Sequence, residues 1–281
     1  MEEALRALLP PARRALPWAL MGLVAVGLVV FGADRVSERV RSRGRFVIKP
    51  ADLRLRQVQQ IGGLQVPVEV SPIGLPAEVS ALDRGAAGTL ADGFARHPWV
   101  EQVRSLTIRY PNRAKVRLTL RRPVVAVRVR DMYCWVDRAA VRLPGALRQR
   151  TLEESGLMYV EGAGGSVPDP GQPWPDPGVG AGAGTAVVLA DDAKAFDITV
   201  VDVSNINGLH DHRLSEIVLL TARHTRILWG RPPSTERLGE LSPGQKLRLL
   251  RLAAAKGLLN RPGDVDIRFP NEAIGRPPPI R

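Results

Sequence analysis

Cysteine is almost missing from this chain: Cys134 is the only one in 281 residues. A lone thiol cannot close an internal disulfide, and a zinc site built on several Cys ligands is excluded. Four histidines leave little material for a His-rich metal centre. Aromatic residues make up 5% of the chain, too few for the stacking platforms that hold single-stranded nucleic acid. Negative charge is in deficit, with 28 Asp+Glu against 40 Lys+Arg and a net charge of +12. Much of the excess alternates with aliphatic residues along strand-like segments. That is the pattern of a solvated sheet face, and clustering of the kind a nucleic-acid footprint needs is not evident. What is present is the balance of a folding chain: 44% hydrophobic and 24% charged residues, with length for one large domain or two ordinary ones.

One long apolar run stands out. Residues 15–33, ALPWALMGLVAVGLVVFGA, carry no charge and lie between Arg14 and Asp34. As a helix they would cover roughly 28 Å, about the hydrocarbon thickness of a bilayer. Trp18 sits near one end, where an amphipathic ring prefers the interface, and Pro17 falls in the first turn, where its missing N–H costs little. A cleaved signal peptide is the alternative. Cleavage after Ala33 would put Phe31 where a small residue is required, so the run reads as an uncleaved anchor behind a short tail, 1–14. The basic segment 34–45, with Arg35, Arg39, Arg41, Arg43 and Arg45, either lies against anionic headgroups or is a solvated spacer. Charge does not settle topology here, because long domains translocate largely regardless of it.

From Phe46 the texture becomes that of a folded region. FVIKPADLRLR alternates Leu53 and Leu55 with Arg54 and Arg56 and reads as a strand. Leu82, Leu90 and Phe94 recur at helical spacing, and Pro98 closes that helix. Leu106, Ile108 and Tyr110 line one strand face. Val116, Leu118 and Leu120 line another, and the turn residues Pro111 and Asn112 join the two as a hairpin. Residues 46–122 thus read as strand-helix-strand-strand, a small α+β domain. A second hairpin begins at Pro123, with Val125, Val127 and Val129 on one face and Asp131-Met132 near its bend. Asp137-Arg138 makes the next turn. Of the 24 residues 161–184, 8 are Gly and 5 are Pro, which reads as a loop or insertion, with Asp176-Pro177 a candidate helix start. FDITVVDVS and SEIVLLTARHTRILWG are strand-like. Ser242-Pro243-Gly244-Gln245 is a capping box, and the helix behind it shows Leu247, Leu250, Ala254 and Leu258 on one stripe. DVDIRFPNEAI reads as a final strand, and 277–281 as an unpacked tail. The region 123–276 is therefore a β-rich domain that ends in a helix and a strand.

No segment of the sequence carries a recognisable catalytic or metal-binding constellation. His210-Asp211-His212 follows the turn residues Asn207-Gly208 and lacks a third ligand at useful spacing, so it reads as a polar loop. Cys134, between Tyr133 and Trp135, reads as a small buried hydrophobe. There is no phosphate-binding GxxxxGK[ST] and no GxSxG elbow. The expectation is a non-enzyme with no cofactor and no metal.

An ordered set of segments resembles the FtsQ/DivIB family of bacterial cell-division proteins. Within 93–144, His97-Pro98-Trp99-Val100 is followed by Arg109-Tyr110-Pro111, then VRLTL, then Arg121-Arg122-Pro123-Val124-Val125, then WVDRAAVRLP. The family has a "PWV" that closes a helix, a "yP" turn, an "(E/R)RPVA" that ends the small domain and a "vD..G..l" that opens the next. Pro98, Trp99, Val100, Pro111 and Pro123 match its structural positions. RILWGR and DVDIRFPNEAI are similar to its "i.lG" and "vDlR…a.v". Departures include Arg138-Ala139-Ala140 in place of a Gly-containing turn, and the loop around Gly171.

The resemblance implies a bitopic protein of the inner membrane at the division site, with its N-terminus cytoplasmic and the bulk of the chain outside. It implies a POTRA domain at 46–122 and a β domain at 123–276. It also implies a septum-formation scaffold that binds small coiled-coil membrane partners similar to FtsB/DivIC and FtsL. In the family the partner pairs with the last strand of the β domain. Asp266-Ile267-Arg268-Phe269 matches the family's "DLRY", which puts Arg268 and Phe269 on contact positions. Asn271 stands for a small polar contact, Arg213 for a second basic one, and Ile274 is a further contact candidate, while Gly275 or Arg276 stands where the family's strand closes on an aromatic. The alternatives are a POTRA-bearing component of envelope assembly or secretion, an anchored enzyme acting on cell-wall polymer, and a basic membrane-anchored protein that binds lipid or nucleic acid.

Overall fold

The computed structural model describes residues 44–270, together with the single position Met21. The tail 1–14, nearly all of the apolar run 15–33, most of the basic segment 34–45, Asn271, Ile274 and the tail 277–281 lie outside the described residues. Among the described residues no helix is long and apolar enough to cross a membrane. The chain is α+β, with a mixed sheet and four helices among the described residues.

The segment expected as one strand at 46–56 is cut by Pro50, which starts a short 3-10 turn over Pro50–Asp52. Before the cut, β1 (Val47–Ile48) pairs antiparallel with β4 (Val79–Ser80). After it, β2 (Leu55–Ile61) folds onto β3 (Leu64–Val70) in a hairpin the sequence reading missed. The signal was there: Gly62-Gly63 between apolar-polar alternations is a two-residue turn signature. The glycines are also demanded by a neighbour. A Cβ on Gly62 would fall 1.8 Å from the Ser155 carbonyl oxygen, and one on Gly63 would fall 2.8 Å from that of Glu154.

Helix α1 (Ala86–Ala95) buries Leu90 and Phe94 as expected, while Leu82 precedes it. Then β5 (Val100–Arg109) and β6 (Arg113–Leu120) form the expected hairpin through Tyr110, Pro111 and Asn112. The strands of this N-terminal unit do not join one sheet; they form three two-stranded ribbons.

The second unit is a seven-stranded mixed sheet in the order β13-β12-β11-β10-β9-β7-β8. Its strands are β7 (Pro123–Val129), β8 (Met132–Asp137), β9 (Tyr159–Glu161), β10 (Ile198–Asp202), β11 (Ile217–Thr221), β12 (Thr225–Gly230) and β13 (Gly263–Asp266). Helix α2 (Gln149–Ser155) packs under the β2–β3 turn, Gly63 N donating to the Glu154 carbonyl oxygen at 3.1 Å. Strands β7 and β8 are buried on both faces, which explains their continuous apolar runs. Val125, Val127, Cys134 and Val136 join the core shared with the helices, whereas Ala126, Tyr133 and Trp135 join the core shared with the N-terminal unit.

The glycine-rich stretch is not merely an insertion. Its second half becomes helix α3 (Pro177–Leu189), started by Asp176, whose Oδ1 accepts from Gly178 N at 2.6 Å. The glycines let this helix lie close on the sheet, since a Cβ on Gly182 would come within 2.5 Å of Val160 Cγ2. Helix α4 (Pro243–Ala255) has the expected capping box, Ser242 N donating to Gln245 Oε1 at 2.9 Å. Its fully buried positions are Lys246, Leu250 and Ala253. Leu247 and Ala254 are only half-buried, so the buried stripe is rotated from the expected one.

Candidate partner-binding site

The sheet has two edges, and they differ. Along β8 the segment 141–147 covers the edge: Tyr133 N donates to the Leu147 carbonyl oxygen at 3.0 Å, and Leu143 N donates to that of Trp135 at 2.9 Å. At the other edge β13 runs parallel to β12 and has no strand partner on its outer side among the described residues. An unpaired edge offers backbone donors and acceptors to an added strand. Strand β13 is short and ends at Asp266, whereas the strand expected from sequence runs over 264–274, of which 271–274 lie outside the described residues. Asp264 pairs across the strands with Arg226, Nη1 to Oδ1 3.5 Å.

Beyond β13 the chain is tied down. Arg268 grips the buried Asp266 carboxylate, Nε to Oδ1 3.0 Å and Nη2 to Oδ2 2.6 Å. Its guanidinium lies 5.6 Å from the Phe269 ring centroid. Its carbonyl oxygen accepts from Leu241 N at 2.8 Å. Arg268 also brings Arg213 into the site, Nη1 standing 3.5 Å from the Arg213 carbonyl oxygen. Three of the sequence-predicted contact residues, Arg213, Arg268 and Phe269, therefore meet. The geometry does change one role, since much of the Arg268 charge is committed to Asp266. Asn271 and Ile274 lie outside the described residues.

Two further loops complete this end of the sheet, and each is organised by one buried polar side chain. In 203–216 it is Asn205. Its Nδ2 donates to the carbonyl oxygens of Asp211 and Ser215 at 2.9 and 3.1 Å, and its Oδ1 accepts from the N–H groups of His210 and Asp211 at 2.9 and 3.0 Å. This explains the Asn207–His212 stretch as a hydrogen-bonded loop. No group of three metal-ligating side chains occurs among the described residues.

In 231–242 the organiser is Glu240, which accepts from Arg231 N at 2.8 Å, Arg237 N at 3.1 Å and Lys246 Nζ at 2.7 Å. Burial acts to raise the Glu240 carboxyl, but these hydrogen bonds outweigh it and hold the group below its ordinary value. Gly230 is fitted to this carboxylate: its φ is +97°, and a Cβ there would lie 2.1 Å from Glu240 Oε1. Glu216 joins the loops by ion pairs to Arg231 at 2.9 Å and Arg237 at 3.8 Å, and Arg237 Nη1 donates to the His212 carbonyl oxygen at 3.2 Å.

These braced loops hold apolar side chains in solvent. Leu209 is 75% exposed, Leu214 60% and Leu238 fully. Sequence reading missed all three, because a leucine between loop residues shows no periodicity. The two loops that carry these leucines are tied to each other through Glu216 and Arg237, and to the β13 end through Arg213 and Arg268.

The residues that carry the resemblance lie elsewhere in the fold. Pro98 sits between α1 and β5, Val100 opens β5, Pro111 is in the β5–β6 turn and Pro123 opens β7. Trp99 packs edge-on against Trp135 with ring centroids 6.1 Å apart. A groove of about 970 Å³ runs beside β2, β6 and the 137–138 turn, lined in part by Gln57, Gln59, Leu118, Asp137 and Val187. Its lining holds no histidine, cysteine, serine or lysine. No known protein family matches the chain, and no curated protein matches it.

Proposed function

We propose that this chain is a membrane-anchored division scaffold of the FtsQ/DivIB kind, a non-enzyme whose work is to bind other membrane proteins. In this reading residues 15–33 anchor it in the bacterial inner membrane with the N-terminus inside. The unit 46–122 is then a POTRA-like domain next to the membrane, and 123–276 is the partner-binding β domain at the division site. The observation that carries the reading is the outer edge of β13, which has no strand partner among the described residues, beside the Arg213, Arg268 and Phe269 cluster. A partner segment would add as a strand to that edge, its backbone supplying affinity and its side chains selecting among the leucines and arginines of the two loops. The partner class is a small single-span protein with a heptad-rich external segment, similar to FtsB/DivIC or FtsL.

The test is a photo-crosslinking residue at Phe269 in the full-length protein, in living cells, with the captured protein identified by mass spectrometry. Capture of a single-span, heptad-bearing protein supports the reading. Capture of an envelope-assembly component, or of lipid or wall polymer alone, overturns it.

A further inference from the structure

The ribbon β5–β6 has two chemically opposite faces. Val103, Leu106, Ile108, Val116, Leu118 and Leu120 pack into the N-terminal core. Residues directly opposite across an antiparallel pair share a face. The pairs Ser105 with Arg117, Thr107 with Lys115 and Arg109 with Arg113 therefore lie together on the other face. Arg104, at a register shift in β5, reaches the same side, its Nε donating to Thr119 Oγ1 at 2.9 Å. That outer face carries Arg104, Arg109, Arg113, Lys115 and Arg117, all exposed; the one carboxylate of the ribbon, Glu101, stands at the other register shift, at the end away from the tip, and is ion-paired to Arg138.

None of the five forms an ion pair with a described residue. Folding does not account for them: like charges placed directly opposite, as Arg109 and Arg113 are, destabilise a ribbon. At the ribbon tip Tyr110 is 66% exposed, an amphipathic ring of the sort that settles at headgroup depth.

Position decides which polyanion this face fits. The continuous described stretch begins at Gly44, just before β1, and Ile48 of β1 lies in the small core against which Leu106 and Ile108 pack. Ten residues, 34–43, separate this point from the apolar run 15–33. Ten residues span at most about 35 Å, so a bilayer crossed by that run lies within reach of the ribbon.

We propose that the outer face of β5–β6, with Tyr110 at its tip, docks on a bilayer surface rich in acidic phospholipid. The proposal rests on the reading of 15–33 as a membrane span. Docking holds the N-terminal unit down on the membrane and sets the direction in which the seven-stranded sheet and its β13 edge project.

The experiment uses the full chain in proteoliposomes, with an environment-sensitive fluorophore on an Asn112→Cys variant; Cys134 is buried and shielded from labelling. In bilayers with about one-third phosphatidylglycerol the emission is expected to shift to the blue and to be quenched by brominated lipid. In pure phosphatidylcholine both signals are absent. Each cation near an acidic surface contributes roughly fivefold. The variant Arg109→Gln, Arg113→Gln, Lys115→Gln, Arg117→Gln therefore loses docking by about several hundredfold, while emission from Trp99 and Trp135 checks that it still folds.

Equal signals in the two bilayers, or wild-type docking by the four-Gln variant, overturn the proposal. So does protection of position 112 by a soluble DNA duplex without a response to acidic lipid. Flotation with neutral vesicles reads the anchor alone. A chain that does not float refutes the membrane span, and binding of that chain to acidic vesicles, or its absence, then still decides the ribbon.

Discussion

Arg121 holds Asp137 at 2.6 Å across the junction between the N-terminal unit and the seven-stranded sheet. Both side chains are largely buried, and each is used more than once. Asp137 Oδ1 also accepts from Ala139 N and Val141 N, both at 2.9 Å, and so shapes the turn after β8. The Arg121 backbone donates to the Trp99 carbonyl oxygen at 2.9 Å and accepts from Gln59 Nε2 at 3.1 Å. One arginine thus ties β2, the start of β5 and the β8 turn together. Removing one partner of a buried pair strands the other charge. Asp137→Ala is expected to destabilise by about 3 kcal/mol, whereas Arg138→Ala nearby, an exposed arginine, changes stability by less than about 0.5 kcal/mol. Urea titration followed by tryptophan emission checks both.

The Glu240–Lys246 pair makes a second prediction. Lys246 is fully buried, with its ammonium on Glu240 and 5.1 Å from the Trp229 ring centroid. Lys246→Met alone leaves a buried carboxylate and is expected to cost about 3 kcal/mol. Adding Glu240→Gln should recover part of that loss, and a double-mutant cycle reads the coupling. Gly230→Ala attacks the same carboxylate sterically and is expected to lower the melting temperature by several degrees.

His97 is expected to make the protein acid-sensitive. Burial lowers its pKa below the ordinary value of 6.5, because the neutral ring fits the site. Its Nδ1 accepts from Trp99 N at 3.3 Å, which protonation would abolish. The unfolded chain then takes up a proton more readily than the folded one. Stability is accordingly full above about pH 6.5 and falls as the pH drops below that value. His97→Asn should flatten that part of the profile, measured as urea midpoints at pH 7.5 and pH 5.5. Glu240, held below its ordinary value, adds a further loss only in the lower, carboxylate range.

The exposed leucines separate binding from folding. Leu209, Leu214 and Leu238 are exposed, so replacing all three by Ser should leave the melting temperature within about 2 °C. Capture of the partner through position 269 should fall at least about tenfold, since apolar anchors dominate interface energies. Unchanged capture would remove the loops from the interface and leave the β13 edge alone.

Much of the architecture was written in local pattern. The capping box at Ser242, the alternation of Val116, Leu118 and Leu120, and the helical spacing of Leu90 and Phe94 each follow from chemistry within a few residues, and each appears in the fold. The Gly62-Gly63 hairpin was equally local and could have been read.

Tertiary structure decided the rest, because the deciding contacts join distant residues. Glycines that look like an insertion form helix α3 because Val160 stands within 2.5 Å of where a Cβ on Gly182 would be. Lys246 occupies the buried stripe of α4, a place no periodicity assigns to a lysine, because Glu240 of the preceding loop folds back onto it and the Trp229 ring of β12 lies against it. Arg268 and Arg213, 55 residues apart, become one site through a single backbone oxygen. Long-range pairing also left the outer side of β13 without a strand among the described residues and covered β8 with 141–147, and no window of the sequence contains both halves of that choice.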